Sequence, residues 1–103
     1  MTLMAGAATR DITPAMPVFL AGYPHAARIS TGAHDPLLAS ALYLSDGRTP
    51  LLLIALDILY ISQQSTAICR EAINKSIGIP AGNILISATH THSGPVTADQ
   101  LAW

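Results

Sequence analysis

His90 and His92 stand two residues apart, where the apolar run Leu85-Ile-Ser-Ala-Thr89 meets the turn Ser93-Gly94-Pro95. Histidine is the commonest metal ligand and the usual acid or base near neutral pH. In a strand, residues i and i+2 share a face, so a strand carried through both would aim two imidazoles at one point beyond its end. Two histidines do not close a catalytic zinc site, which takes three protein ligands and keeps one position open. A third ligand would come from His25, His34, Asp35 or Asp57, or from beyond Trp103. Without a metal, the same spacing describes two half-exposed rings hydrogen-bonded to loop backbone.

Spacing narrows the metal chemistry. A His-x-His-x-Asp-His hydrolase site of the metallo-β-lactamase kind needs an aspartate and a histidine where this chain has Gly94 and Pro95. Barrel amidohydrolases usually lead into their His-x-His with acidic or glycine-rich residues, and here Ser87-Ala88-Thr89 precedes it.

The elements that must position these residues follow from periodicity. Residues 3–9 form a short apolar segment closed by Arg10, Asp11 and Thr13-Pro14, and proline pushes its predecessor away from helix. Residues 14–36 carry repeated prolines and glycines with His25 and His34, a long loop of the kind that is often functional. Gly22 and Gly32 are expected to serve turns with positive φ. Leu37 to Ser45 and Leu51 to Leu59 flank Asp46-Gly47 and predict a β-hairpin. The second run, apolar on both faces, reads as a central strand. Ser62 is a plausible N-cap for a helix over 63–77 with apolar Ala67, Ile68, Ala72, Ile73 and Ile77, and Gly78 and Pro80 end it. A strand over Ile84 to Thr89 completes a β-α-β crossover that lays it beside Leu51–Asp57. Ligands gather at the carboxyl ends of such strands, where Asp57, His90 and His92 fall. The predicted class is α/β, a mixed sheet with a hairpin and a β-α-β crossover, forming part of a larger layered domain.

Composition points the same way. Half of the 103 residues are hydrophobic and 11% are charged, against about 25% charged in ordinary globular chains. That is more apolar surface than a domain of this size easily hides, so the rest of a larger protein or self-association is expected to cover it. The net charge of −1, with five Lys+Arg and no basic run, argues against nucleic-acid binding. The single cysteine, Cys69, excludes an internal disulfide and reads as a small buried hydrophobe on the helix. Tyr60 is expected to pack between strand and helix, and Thr89 and Thr91 to face away from the histidines. No apolar stretch approaches a membrane span, and no signal peptide is visible, so a cytoplasmic location is expected.

The wider string Ala88-Thr-His-Thr-His-Ser-Gly-Pro95 resembles the signature of the neutral/alkaline (non-lysosomal) ceramidase family. Gly6-Ala-Ala-Thr-Arg-Asp-Ile-Thr-Pro14 is similar to that family's opening strand, and Gly22-Tyr23 to its early loop. Leu42-Tyr-Leu-Ser-Asp-Gly47 with Leu51 to Asp57 is similar to its hairpin, and Asn83-Ile-Leu-Ile-Ser-Ala-Thr-His90 to the lead into the motif. The resemblance implies a Zn2+-dependent amidohydrolase that cleaves the N-acyl bond of ceramide or a related lipid amide. It maps the metal ligand onto His90 and a group assisting the reacting carbonyl onto His92. Ser93 helps fix the turn, Asp57 would orient a ligand histidine, and His34 would line the mouth. The family's other ligands, a further His, a Glu and a Tyr, would lie beyond Trp103, whose own ring is then expected to lack support. On this reading the chain is the N-terminal part of a catalytic domain and is inactive alone. Two other readings are a truncated remnant that binds metal or a protein partner weakly, and a metal-dependent esterase or phosphoesterase on the same scaffold.

Overall fold

A computed structural model describes residues 2–98. Strands β1 (Met4–Asp11), β2 (Leu38–Ser45), β3 (Pro50–Leu56) and β4 (Ile84–Ala88) form one sheet in the order β1-β2-β3-β4, with helix α1 (Gln63–Ile77) between β3 and β4. β1 and β2 pair antiparallel, as do β2 and β3, whereas β3 and β4 run parallel with Leu52 opposite Ile84 and Leu56 opposite Ala88. The mixed sheet, the hairpin and the β-α-β crossover are those predicted. Trp103 lies outside the described residues.

The hairpin turn is built by side chains. The Asp46 carboxylate accepts the amides of Arg48 and Thr49, and Ser45 Oγ accepts that of Gly47. The Thr49 and Arg48 amides hold the Asp46 carboxyl below the ordinary aspartate range, because they favour its ionised form. At the far end of the same pair, Asp57 and Leu38 exchange bonds. The Asp57 amide donates to the Leu38 carbonyl at 3.0 Å, and the Asp57 carboxylate accepts the Leu38 amide at 2.9 Å.

α1 starts where Ser62 Oγ accepts the Ser65 amide at 3.1 Å, and it stops at Gly78, whose φ of 75° suits a residue without Cβ. The helix is laid down over one face of the sheet by Cys69 and Ile73, which pack on Leu52, Ile79, Ile84 and Ile86. Of the apolar set expected to face the core, Ala67, Ile68, Ala72 and Ile77 are instead exposed, and only Ile73 is half-buried. Periodicity marked a helix correctly but overestimated its buried stripe. With so little of it buried, its cap matters: Ser62→Ala is expected to lower unfolding free energy by about 1 kcal/mol in a denaturant titration.

The opposite face of the sheet carries Leu42, Leu53 and Leu85 in register, and Leu42 and Leu85 are exposed. Every residue of β1 is exposed too. The surplus of apolar residues in the composition is therefore visible as open sheet surface. Among the described residues, no helix is long and apolar enough to cross a membrane.

Candidate active site

The carboxyl ends of parallel β3 and β4 lie side by side, and the chain leaves both in a concerted way. Past Leu56, Ile58 and Leu59 turn inward and are buried. The apolar run beginning at Leu51 therefore outlasts its strand, because Ile58 and Leu59, past the end of β3, are themselves buried. Past Ala88, the Thr89 amide donates to Leu56 O at 2.9 Å and the His90 amide to Ile58 O at 3.1 Å. These bonds extend the pairing of the two segments up to the first histidine.

There the backbone reverses. β4 ends at Ala88, and His90 adopts a left-handed conformation with φ of 67°. The two histidines are thus not brought together by a shared strand face, as the spacing predicted. A turn does it, and it sets the rings 5.0 Å apart between centroids in an edge-on arrangement. The left-handed region is open to few residues other than glycine, and histidine, aspartate and asparagine are the best tolerated. The backbone bond to Ile58 and a side-chain bond hold His90 there.

That side-chain bond fixes the chemistry of the ring. His90 Nδ1 lies 2.9 Å from the carbonyl of Leu59. A carbonyl only accepts, so Nδ1 carries the proton and donates, and in the neutral ring Nε2 keeps its lone pair. This is how ligand histidines are commonly prepared: one nitrogen is tied to an acceptor and the other is left for the metal. The acceptor is the backbone of Leu59. Asp57, expected in that role, instead uses its carboxylate on Leu38.

His92 is half-buried in a slot whose sides are Tyr23, Gly22 and His90. The Tyr23 ring meets it edge-on at 5.2 Å. A Cβ on Gly22 would lie 2.6 Å from His92 Nδ1, and Gly22 has φ of 114°. The loop over 14–36 builds this wall. Its arms pair at Phe19 and Ile29, and Leu20 bridges to Pro95, with the Ala21 amide donating to Gly94 O at 2.9 Å. Ala21 is fully buried. The long loop is thus an ordered hairpin seated on the His turn. His25, with φ of 68°, sits in its exposed tip, where the Ala26 amide donates to Tyr23 O.

Beside the His turn opens a cleft of about 810 Å³. Met16, Val18 and Ile29 supply apolar walls, while Asp57, Ser93 and His34 contribute polar groups. Neither imidazole of the pair lines it, although Thr91, Ser93 and Gly94 do. Ser93 is exposed, and its amide donates to Thr91 Oγ1 at 3.2 Å. His34 is exposed and paired with Asp35 at 2.9 Å. The structure therefore gathers Asp57, Ser93 and His34 around one cleft and joins His90 and His92 to its rim through the turn. Among the described residues, no three His, Cys, Asp or Glu side chains are grouped to hold a metal ion. The free Nε2 of His90 has the donor chemistry of a metal ligand, and among the described residues no set of three such groups surrounds it.

Three components of the site are not marked by residue type or spacing. The Leu59 carbonyl is backbone and leaves no residue-type signal. Gly22 was legible as a turn glycine, but not as the wall against His92. Arg28, whose Nη2 donates to the carbonyls of Ala21 and His92, carried no signal at all.

No protein-family model matches the chain. Solved structures do match. Neutral ceramidase from Pseudomonas aeruginosa aligns with a TM-score of 0.80 and 27% identity, over 91% of this chain and 16% of its own length. A ceramidase complexed with C2 aligns with a TM-score of 0.76 and 26% identity, over 91% of this chain and 15% of its own. The chain is similar to neutral ceramidase in fold, and it spans a small part of the length of the structures it matches.

Proposed function

We propose that a chain folded like this piece of neutral ceramidase contributes one zinc ligand and one carbonyl-facing group to a hydrolase of lipid N-acyl amides. The observation that carries the reading is the state of His90. Its Nδ1 proton is committed to Leu59 O, its Nε2 is free, and it stands against His92 at the carboxyl ends of two parallel strands. The likeness to ceramidases supplies the substrate class, an acyl group in amide linkage to a sphingoid base.

Each residue then has a task. His90 binds zinc through Nε2, and the bond to Leu59 keeps its ring from rotating away. Zinc, when bound, supplies Lewis acidity to the amide carbonyl and lowers the pKa of water. His92 donates a hydrogen bond to the carbonyl oxygen as negative charge develops on it, and its slot keeps the ring aimed without reorganisation. Met16, Val18 and Ile29 give an acyl chain an apolar wall, and Asp57 and Ser93 mark the polar end of the cleft. With one ligand of its own, the 103-residue chain does not hold zinc tightly and is inactive by itself.

The test is hydrolysis of an N-acyl sphingosine by the complete open reading frame that contains this chain. Fatty-acid release is expected, lost on chelation and restored by zinc. Hydrolysis confined to ester or phosphoester substrates, or undiminished after exhaustive chelation, would overturn the reading.

A further inference from the structure

We propose that Arg28 positions His92 through a guanidinium that holds both the backbone and the ring side of that residue. The inference rests on the reading of His92 given above and adds to it the residue that aims the ring. Arg28 Nη2 donates to the Ala21 carbonyl at 2.8 Å and to the His92 carbonyl at 2.9 Å. One nitrogen thus bridges the loop hairpin and the His turn. The guanidinium carbon lies 4.4 Å from the centroid of the Tyr23 ring, and Tyr23 in turn abuts His92. A cation over an aromatic face is attracted by the ring's quadrupole, so Arg28 steadies the ring that walls His92.

The arrangement carries a cost that marks it as specific. Among the described residues no hydrogen-bond partner meets the buried Arg28 Nε, and leaving a buried donor unpaired is unfavourable. The bridge by Nη2 and the contact with Tyr23 are the interactions set against that loss. Lysine, a compact charge on a flexible stem, cannot both bridge two carbonyls and lie flat on a ring. Arg28 acts on the reaction only through His92 and is a positioning residue.

The experiment is a double-mutant cycle in the complete enzyme. Arg28→Ala is expected to lower kcat by about 10- to 100-fold, with KM little changed, since small misplacement of a reacting group costs rate more than binding. Arg28→Lys is expected to recover part of the loss. In a His92→Ala background, Arg28→Ala is expected to cost nothing further, because residues that act as a unit are non-additive. An equal loss in both backgrounds overturns the proposal and leaves the role of His92 standing. Should Arg28→Ala fail to fold, Arg28→Lys takes its place in the cycle with the same criterion. If His92→Ala is as active as wild type, the reading of His92 itself fails, and NMR decides the rest at fixed pH. Loss of the Tyr23–His92 ring NOE in folded Arg28→Lys then supports positioning, and its full persistence overturns it.

Discussion

Replacing His90 by alanine is expected to strip zinc from the complete enzyme, while replacing His92 by alanine leaves zinc in place and removes activity. The two rings are neighbours, 5.0 Å apart, yet their environments divide the labour. His90 has a backbone acceptor behind Nδ1 and a free Nε2. Among the described residues, no hydrogen-bond acceptor stands behind the His92 ring, which is confined by Tyr23 and Gly22 instead. Loss of a partner behind a ligand already lowers metal affinity by about 10- to 100-fold, so loss of the ligand itself should exceed that range. Loss of a hydrogen-bond donor to the developing oxyanion should lower kcat by about 100- to 1,000-fold. Metal analysis after gel filtration, run beside kcat for both variants, separates the roles. Full zinc content in His90→Ala would remove the ligand assignment, and zinc loss in His92→Ala would merge the two roles into one.

Gly22→Ala is expected to be nearly as damaging, although Gly22 donates no functional group. Two effects combine. At φ of 114° an alanine is strained, at a cost on the order of 1–3 kcal/mol. Its methyl would also lie 2.6 Å, 2.7 Å and 2.9 Å from Nδ1, Cγ and Cβ of His92. Two of those atoms are at the root of the imidazole, so the ring cannot simply swing clear, and Tyr23 and His90 occupy its other sides. The loop or the His turn must move, and a displacement of about 1 Å at a reacting group costs about 100-fold in rate. Zinc content should persist, because His90 is anchored to Leu59 and Ile58 on the sheet side. A Gly22→Ala enzyme with wild-type kcat would show that the slot does not govern His92.

The elements were legible where local periodicity and capping agree. Ser62, Gly78 and Pro80 bracketed a helix that runs from Gln63 to Ile77, and Asp46-Gly47 marked the hairpin. Boundaries failed where burial is tertiary. Ile58 and Leu59 look like strand residues because they are apolar, but they are buried past the end of β3, where their carbonyls accept hydrogen bonds from His90. At the site, residue identity pointed to His90 and His92, and the inferred geometry was of the wrong kind. A two-residue spacing suggests a strand face, while the fold uses a left-handed turn that no hydrophobic pattern encodes. Asp57 shows the same limit. Its position at a strand end is as read, and its carboxylate is directed by the need to close β2 on β3, a demand visible only once register is known.

The left-handed backbone at His90 also restricts how this site could be re-engineered or could drift. Among side chains that bind divalent metals, cysteine and glutamate are disfavoured in that conformation, and aspartate, asparagine and histidine are tolerated. Aspartate would keep the turn but has no proton to offer the Leu59 carbonyl. Histidine meets the backbone's stereochemical demand, occupies the carbonyl behind it and still presents a nitrogen lone pair in front, whereas asparagine can match the first two only while offering a hard carbonyl oxygen. A ligand exchange here, for instance to select a harder cation, therefore has two sterically admissible substitutes, His90→Asp and His90→Asn, of which His90→Asp begins with an orphaned acceptor at Leu59.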